Sequence, residues 1–253
     1  RVLLNHNYTV VRVDQTTSPP NPKREVTRIY SPSTSIEEYS IKDTNYILCL
    51  YIETNNDKMA IGMTLIDLTT GKSIVYEAYD SLNPKEKHTA LQEAYRFIYT
   101  FYPKEIIIYS EKCNMTKEDL INYLELDNII HYFYSEYNHI FNKISYQNEF
   151  LLKIFKNCGI ISPIQYLDFE KYEFIRVSFI LLLQFVYEHD TNIVNYINKP
   201  VIYEKQSHLI LSNNSIQQLN IIQYNHIESD NKFNCLFDIV NNCSTTIGKR
   251  FLK

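Results

Sequence analysis

The spacing of hydrophobic and polar residues changes its period along this chain, and each change marks an element. Val10, Val11 and Val13 form a β-branched run that ends at Asp14, which reads as a strand. Pro19, Pro20 and Pro22 follow, each fixing φ and removing a backbone donor, so neither a helix nor a central strand continues through them. From Lys23 to Tyr30 the residues alternate, Arg24, Val26, Arg28 and Tyr30 against Glu25, Thr27 and Ile29, as in a short strand. Ser31-Pro32-Ser33-Thr34 closes it, and the polar, acidic stretch Ile36 to Thr44 reads as a linker.

Tyr46 to Ile52 is continuously apolar, the mark of a strand covered on both faces. Met59, Ile61, Met63 and Leu65 alternate with smaller residues to give a second strand, and Thr69-Thr70-Gly71-Lys72 turns into a third, Ser73 to Tyr79. Asn83-Pro84-Lys85-Glu86 supplies an N-cap and a proline at the first helical position ahead of Leu91, Ala94, Tyr95, Ile98 and Phe101 at helical spacing, ending at Pro103. Ile106 to Tyr109 is another strand, Thr116-Lys117-Glu118-Asp119 opens a helix, and Ile129 to Tyr134 is the last strand. The order βββαβαβ predicts an α/β, ribonuclease-H-like layer.

From Ser145 the period becomes helical. Phe150, Leu151, Ile154 and Phe155 form a stripe with Gly159 as its C-terminal cap, and a helix over about Phe169–Asp190 is apolar nearly all round, so it is expected inside a multi-helix core. Lys199-Pro200 breaks the pattern, and further helices are expected near Ser215–Ile221, Cys235–Asn241 and from Ile247. The division this predicts is an N-terminal piece at 1–43, the α/β domain at 44–145 and an all-α segment at 146–253.

Composition narrows the chemistry. Five cysteines, Cys49, Cys113, Cys158, Cys235 and Cys243, are scattered without a C-x-x-C pair, which argues against a disulfide framework or a zinc ribbon and favours a reducing, intracellular compartment. The run Phe174–Tyr187 is too short and too interrupted, by Arg176 and Gln184, to span a bilayer. The net charge of −4 does not advertise nucleic-acid binding. Residues 1–42, however, hold six Lys or Arg against four Asp or Glu, whereas 43–145 hold nine against fifteen. Any DNA contact is therefore expected in the first 42 residues. The chain begins at Arg1 without Met and stops at Lys253 without a helix stop signal, so both ends are expected to be cut.

Candidate motifs compete with plainer readings. Gly71-Lys72-Ser73 mimics the tail of a phosphate-binding loop, but the upstream glycine would fall at Ile66, and a hairpin turn is the better reading. A nuclease of this fold needs first-strand and neighbouring carboxylates to hold two Mg²⁺ ions about 3.5–4 Å apart. The first strand has Cys49 and Tyr51 in its middle and Glu53 only at its exit, while Asp67 and Asp80 read as solvated loop acids. The histidines are too dispersed to imply a metal site. No catalytic, cofactor or metal residue is assigned.

Asp14-Gln15, then Arg24, Val26, Arg28 and Ile29, then Ser31-Pro32-Ser33-Thr34 resemble the end of the mismatch-recognition domain in the MutS family of DNA mismatch-repair proteins. Ser33 stands where that family usually has glycine, and the form PPNPKREVT resembles the giant-virus and organelle branch. His208-Leu209-Ile210-Leu211-Ser212 with Ile216 to Asn220, and Cys235 to Lys253, are similar to the opening of the family's core domain. The resemblance implies the tail of an α+β mismatch-recognition domain, a ribonuclease-H-like connector and the start of an all-α core (lever). It also implies a longer parent that dimerises with a second MutS-type subunit, encircles mismatched double-stranded DNA and hydrolyses ATP with Mg²⁺ in a domain outside this chain.

The family's stacking F-x-E motif is absent here, as expected if it lies upstream. Lys23, Arg24 and Arg28 are the candidate DNA-backbone contacts, with a solvated strand edge as the alternative for each. Two other functions stay open: an active ribonuclease-H-like nuclease, and a non-catalytic protein-interaction module of the same fold.

Overall fold

The computed structural model describes residues 8–18, 20–31, 34, 45–83, 88–189, 191, 193–204 and 233–245, with residues 3, 215, 218–221, 248 and 252. The expectations for Pro19, for Pro32 and Ser33, for the linker at 36–44, for the helix opening at Pro84, for residues 208–212 and for Ile247 lie outside them. The chain divides into two units: residues 1–38 with 45–204, and residues 39–44 with 205–253.

The first unit is built on β3 (Tyr46–Asn55), β4 (Lys58–Asp67) and β5 (Ser73–Tyr79), an antiparallel run, with β6 (Glu105–Glu111) parallel to β3 and β7 (Ile130–Tyr134) parallel to β6. Helix α1 (Thr89–Phe101) connects β5 to β6, and α2 (Lys117–Tyr123) connects β6 to β7. This is the element order that the hydrophobic pattern predicts. Strand β3 lies between β6 and β4, which is why its apolar run is unbroken: Ile47, Leu48, Cys49, Leu50 and Ile52 are all wholly buried. Its side chains alternate between two cores. Leu48, Leu50 and Ile52 meet Leu91, Ala94 and Ile98 of α1, and Ile47, Cys49 and Tyr51 enter the core on the other face.

Local signals set the helix ends. Thr116 accepts from the Asp119 amide while the Asp119 carboxylate accepts from the Thr116 amide, a complete capping box at the start of α2. Tyr102, at φ 48°, closes α1 just before Pro103, and its amide donates to the Ile98 carbonyl.

Helices α3 (Ile144–Ile154), α4 (Pro163–Tyr166) and α5 (Glu173–His189) follow. Phe155, not Gly159, caps α3. The all-round apolar helix α5 packs on β3, β4 and β5 and forms the second covering layer of the sheet, where the sequence pattern predicts a multi-helix core. Gly62 of β4 lets the backbone at Phe174 approach directly, Thr64 Oγ1 lies 2.7 Å from Ser178 Oγ, and Glu77 of β5 accepts from the Ile175 amide at 3.0 Å. The compact unit thus continues past 145 to Glu204. After Pro200 the two-residue strand β8 (Val201–Ile202), which the sequence did not announce, adds to β5 in parallel.

The two strands read from the sequence at the N-terminal end pair into a separate antiparallel ribbon of β1 (Val10–Gln15) and β2 (Arg24–Tyr30), a pairing the sequence pattern did not specify. In the second unit, the described helix is α6 (Leu236–Val240), whose first two amides donate to the carbonyls of Asn220 and Ile221. Leu236, Ile239 and Val240 are all more than half exposed.

Candidate functional site

The basic residues of the ribbon are placed by its register. Arg12 stands opposite Arg28, Asp14 opposite Glu25, and Gln15 opposite Arg24, with a bulge between Arg12 and Val13. Opposed residues share a face, and faces alternate along β1. Val11, Val13 and Gln15 therefore share one face with Ile29, Val26 and Arg24, while Val10, Arg12 and Asp14 share the other with Tyr30, Arg28 and Glu25. The bulge inserts Thr27 and so turns Arg28 to the face opposite Arg24, although strict alternation in β2 predicts one face for both.

Arg28 and Arg12 sit in a small polar network. Arg12 Nε lies 2.9 Å from Asp14 Oδ2, which also accepts from Thr27 Oγ1 at 2.7 Å. These contacts, the Thr27 hydrogen bond first and the Arg12 one second, hold the Asp14 carboxyl below its ordinary pKa, and Asp14 in turn raises that of Arg12. The Arg28 guanidinium lies over the Tyr30 ring, 4.9 Å from its centroid. Lys23 and Arg24 are exposed at the turn end of the ribbon, where the Lys23 amide donates to Thr17 Oγ1. The structure thus separates the three candidates into an exposed pair, Lys23 and Arg24, and Arg28 with Arg12 on the other face.

A second polar cluster lies at the carboxyl ends of β3 and β6. Glu53 and Glu111 are opposed in the parallel ladder, and the Tyr51 hydroxyl donates toward both, at 2.9 and 3.4 Å. Tyr137 lies 3.0 Å from Tyr51, donates to Glu111 at 3.0 Å and is held by the Asn142 amide at 2.7 Å. His139 Nδ1 is 3.8 Å from Glu111 and exposed. Burial, with Tyr137 and Glu53 beside it, raises the Tyr51 pKa far above its ordinary value, and burial, with Glu111 adding to it and the Tyr51 and Asn142 contacts opposing it, pushes Tyr137 up to about 12. Both phenols are therefore neutral donors at pH 7, and the Tyr51 hydroxyl bridges the two carboxylates.

The remaining acids are engaged in structural contacts. Asp67 is buried rather than solvated, and at the opposite end of β3, opposite Tyr46, it accepts from the Thr69 amide and Thr70 Oγ1, both at 2.9 Å. Asp80 accepts from the Met59 and Ala90 amides at 2.9 and 3.1 Å, tying the β4 start to the α1 N-terminus. A cavity of about 430 Å³ opens beside it, lined by residues such as Thr54, Met59, Leu82, His88 and Met115. Among the described residues, no three His, Cys, Asp or Glu converge as metal ligands. Glu105, which the pattern analysis passed over as the first residue of an apolar strand, is wholly buried and accepts from Ser31 Oγ at 3.0 Å.

Residues Gly71 to Ser73 do not fit a nucleotide phosphate. They close a hairpin: the Gly71 amide donates to the Asp67 carbonyl and the Asp67 amide to the Lys72 carbonyl, both at 2.8 Å, and Ser73 Oγ donates to the Asn198 carbonyl. A phosphate cradle needs free, convergent amides. No described helix is long and apolar enough to cross a membrane.

No family model matches the chain. Over 280 residues covering all of it, the chain is 34% identical to a putative DNA mismatch repair protein mutS homolog of Acanthamoeba polyphaga mimivirus. It is 27% identical over 257 residues to the DNA mismatch repair protein MutS of Caldanaerobacter subterraneus subsp. tengcongensis, and 25% identical over 291 residues to the mitochondrial DNA mismatch repair protein mutS homolog of Sarcophyton glaucum, with 99% of the chain covered each time. These matches span 25%, 27% and 27% of the relatives, so the chain corresponds to about a quarter of their length. Among solved structures, T. thermophilus RuvC in complex with Holliday junction substrate matches 55% of this chain and 94% of its own at 11% identity and a TM-score of 0.31, too distant to carry an argument. The homologues that span this chain from end to end are MutS DNA mismatch-repair proteins, the mimivirus and mitochondrial forms included.

Proposed function

We propose that this chain acts in DNA mismatch repair as the part of a MutS-type protein that links mismatch recognition to the ATPase. The observation that carries the reading is the extent of the similarity, which covers the whole chain, ribbon, sheet and helices alike. On this reading the ribbon is the end of the mismatch-recognition domain, the sheet with its covering helices to residue 204 is a ribonuclease-H-like connector, and the segment from 205 opens the all-α core. Of Lys23, Arg24 and Arg28, those on the ribbon face that meets the duplex neutralise DNA phosphates, contacts that position DNA without reading its sequence. The longer protein binds ATP and Mg²⁺ in a domain outside this chain, pairs with a second MutS-type subunit on mismatched DNA, and works in a nucleus, an organelle or a viral factory.

The Glu53–Glu111 pair is the feature that favours the alternative reading as a nuclease. Both acids accept from Tyr51, and Tyr137 donates to Glu111, which leaves the non-catalytic reading the better supported.

The test is to express the chain with its flanking coding sequence and measure ATP turnover with matched and mismatched duplexes. Turnover that responds to a mismatch, and loses that response but not its basal rate when the connector is perturbed by Thr64→Val with Ser178→Ala, supports the reading. Absence of any ATP turnover in the folded longer protein overturns it.

A further inference from the structure

The ribbon is fastened to the sheet at the base of both its strands. Ser31, the residue after β2, is wholly buried, and its Oγ donates to Oε2 of the wholly buried Glu105 at 3.0 Å. Thr34, also buried, accepts from the Ser31 amide at 2.8 Å, and its hydroxyl lies 3.0 Å from that of Ser31. On the other strand Thr9, the residue before β1, lies 3.2 Å from the Tyr132 hydroxyl of β7. Val10 and Tyr30 are opposed in register, so these contacts grip the two strands at the same level of the ribbon. Near its base β2 also packs against α5, but farther out Val11, Val13 and Val26 are more than half exposed. A two-stranded ribbon is marginal by itself and takes its orientation from whatever holds its base.

Glu105 also has a particular position in the sheet. It is the first residue of β6, opposed to Ile47 of β3 on one side and to Ile130 of β7 on the other. A carboxyl buried at such a point is costly unless its oxygens are hydrogen-bonded, so Glu105 favours the arrangement in which the Ser31 hydroxyl donates to it.

We propose that Ser31, Thr34 and Glu105 form a latch, with Thr9 and Tyr132 as a second fastening, that carries the ribbon and the sheet as one body and whose release frees the ribbon while the sheet stays folded. The latch stands on the contacts alone. Its purpose rests on the mismatch-repair reading, in which it is the joint where the recognition domain hands its orientation to β6 and the connector.

The test is amide exchange, read by mass spectrometry, on the whole chain and on its Ser31→Ala, Tyr132→Phe, Ser31→Ala with Tyr132→Phe, and Glu105→Gln variants. With both fastenings removed, residues 10–15 and 24–30 should exchange about tenfold faster or more, the factor expected when a buried hydrogen bond is lost. Residues 46–52 should stay within about twofold. Glu105→Gln keeps an acceptor oxygen for Ser31 and should retain most of the protection. Unchanged ribbon exchange in the double variant overturns the latch, and so does an equal rise in 46–52, which would make Ser31 an ordinary core residue. Neither readout involves DNA or ATP, so a failure of the mismatch-repair reading leaves this result standing or falling by itself.

Discussion

Gly62 in β4 lies so close to Phe174 that a β-carbon at Gly62 would sit 2.0 Å from the Phe174 carbonyl oxygen. That contact seats the first turn of α5 on the middle of the sheet and makes the helix a layer of the α/β unit.

Gly62→Ala should therefore destabilise the protein by about 3 kcal/mol, because the obstacle is backbone and cannot rotate away. Gly159→Ala is the contrasting case: a β-carbon there meets nothing within 4 Å, and the φ of +66° should cost only about 1 kcal/mol. Urea unfolding of both variants checks the difference. Equal costs would mean that α5 shifts freely on the sheet.

A fragment of residues 45–145 should not fold cooperatively, whereas 45–204 should. Without α5 the face bearing Ile47, Cys49, Tyr51, Ile66 and Val75 has no cover. A sharp urea transition in the shorter fragment would show the sheet to be self-sufficient. In the whole chain, limited proteolysis should cut around Leu236, Ile239 and Val240, which are exposed, before it reaches the sheet.

Duplex binding by this chain should be weak, salt-dependent and indifferent to mismatches, since no F-x-E motif is present. Arg24 and Arg28 lie on opposite faces of the ribbon, so a single duplex should not use both. One of Arg24→Ala and Arg28→Ala should lower the slope of log K against log salt by about 0.9, and the other should leave it unchanged. If Arg28 is the residue in contact, Arg12→Ala should behave like it. Equal effects of Arg24→Ala and Arg28→Ala would contradict the face assignment.

The isolated chain should neither hydrolyse ATP nor cut nucleic acid in the presence of Mg²⁺. Activity that survives purification and disappears with Glu53→Ala or Glu111→Ala would establish the carboxylate pair as catalytic.

Alkaline conditions should unfold the protein through its buried phenols. Tyr51, Tyr109 and Tyr137 have folded-state pKa values raised, chiefly by burial, above the ordinary value of about 10. Above that pH the unfolded chain loses these protons first, so the stability they contribute is fully present below about pH 10 and declines as pH rises toward the folded values. Tyr51→Phe should make the decline shallower. Phenolate absorbance that rises well ahead of unfolding would show these rings to be accessible.

The sequence by itself determined the elements with local causes. Alternation placed β2 and β4, the β-branched run Val10–Val13 placed β1, the turn Thr69–Lys72 placed β5, the Thr116–Asp119 capping box placed α2, and the unbroken run Tyr46–Ile52 put β3 in the middle of a sheet, because these signals act over a few residues. It also determined the kinship, through Arg24-x-Val26-x-Arg28-Ile29 and the C-terminal motifs. Tertiary structure decided what α5 packs against, since an apolar helix reads the same whether a sheet or other helices cover it. It also added β8, whose two residues carry no pattern, and brought Glu105 to Ser31 and Glu53 to Glu111 across long separations in sequence. The bulge at Thr27 reversed the face of Arg28, because the register of a strand is fixed by its partner and not by its own alternation.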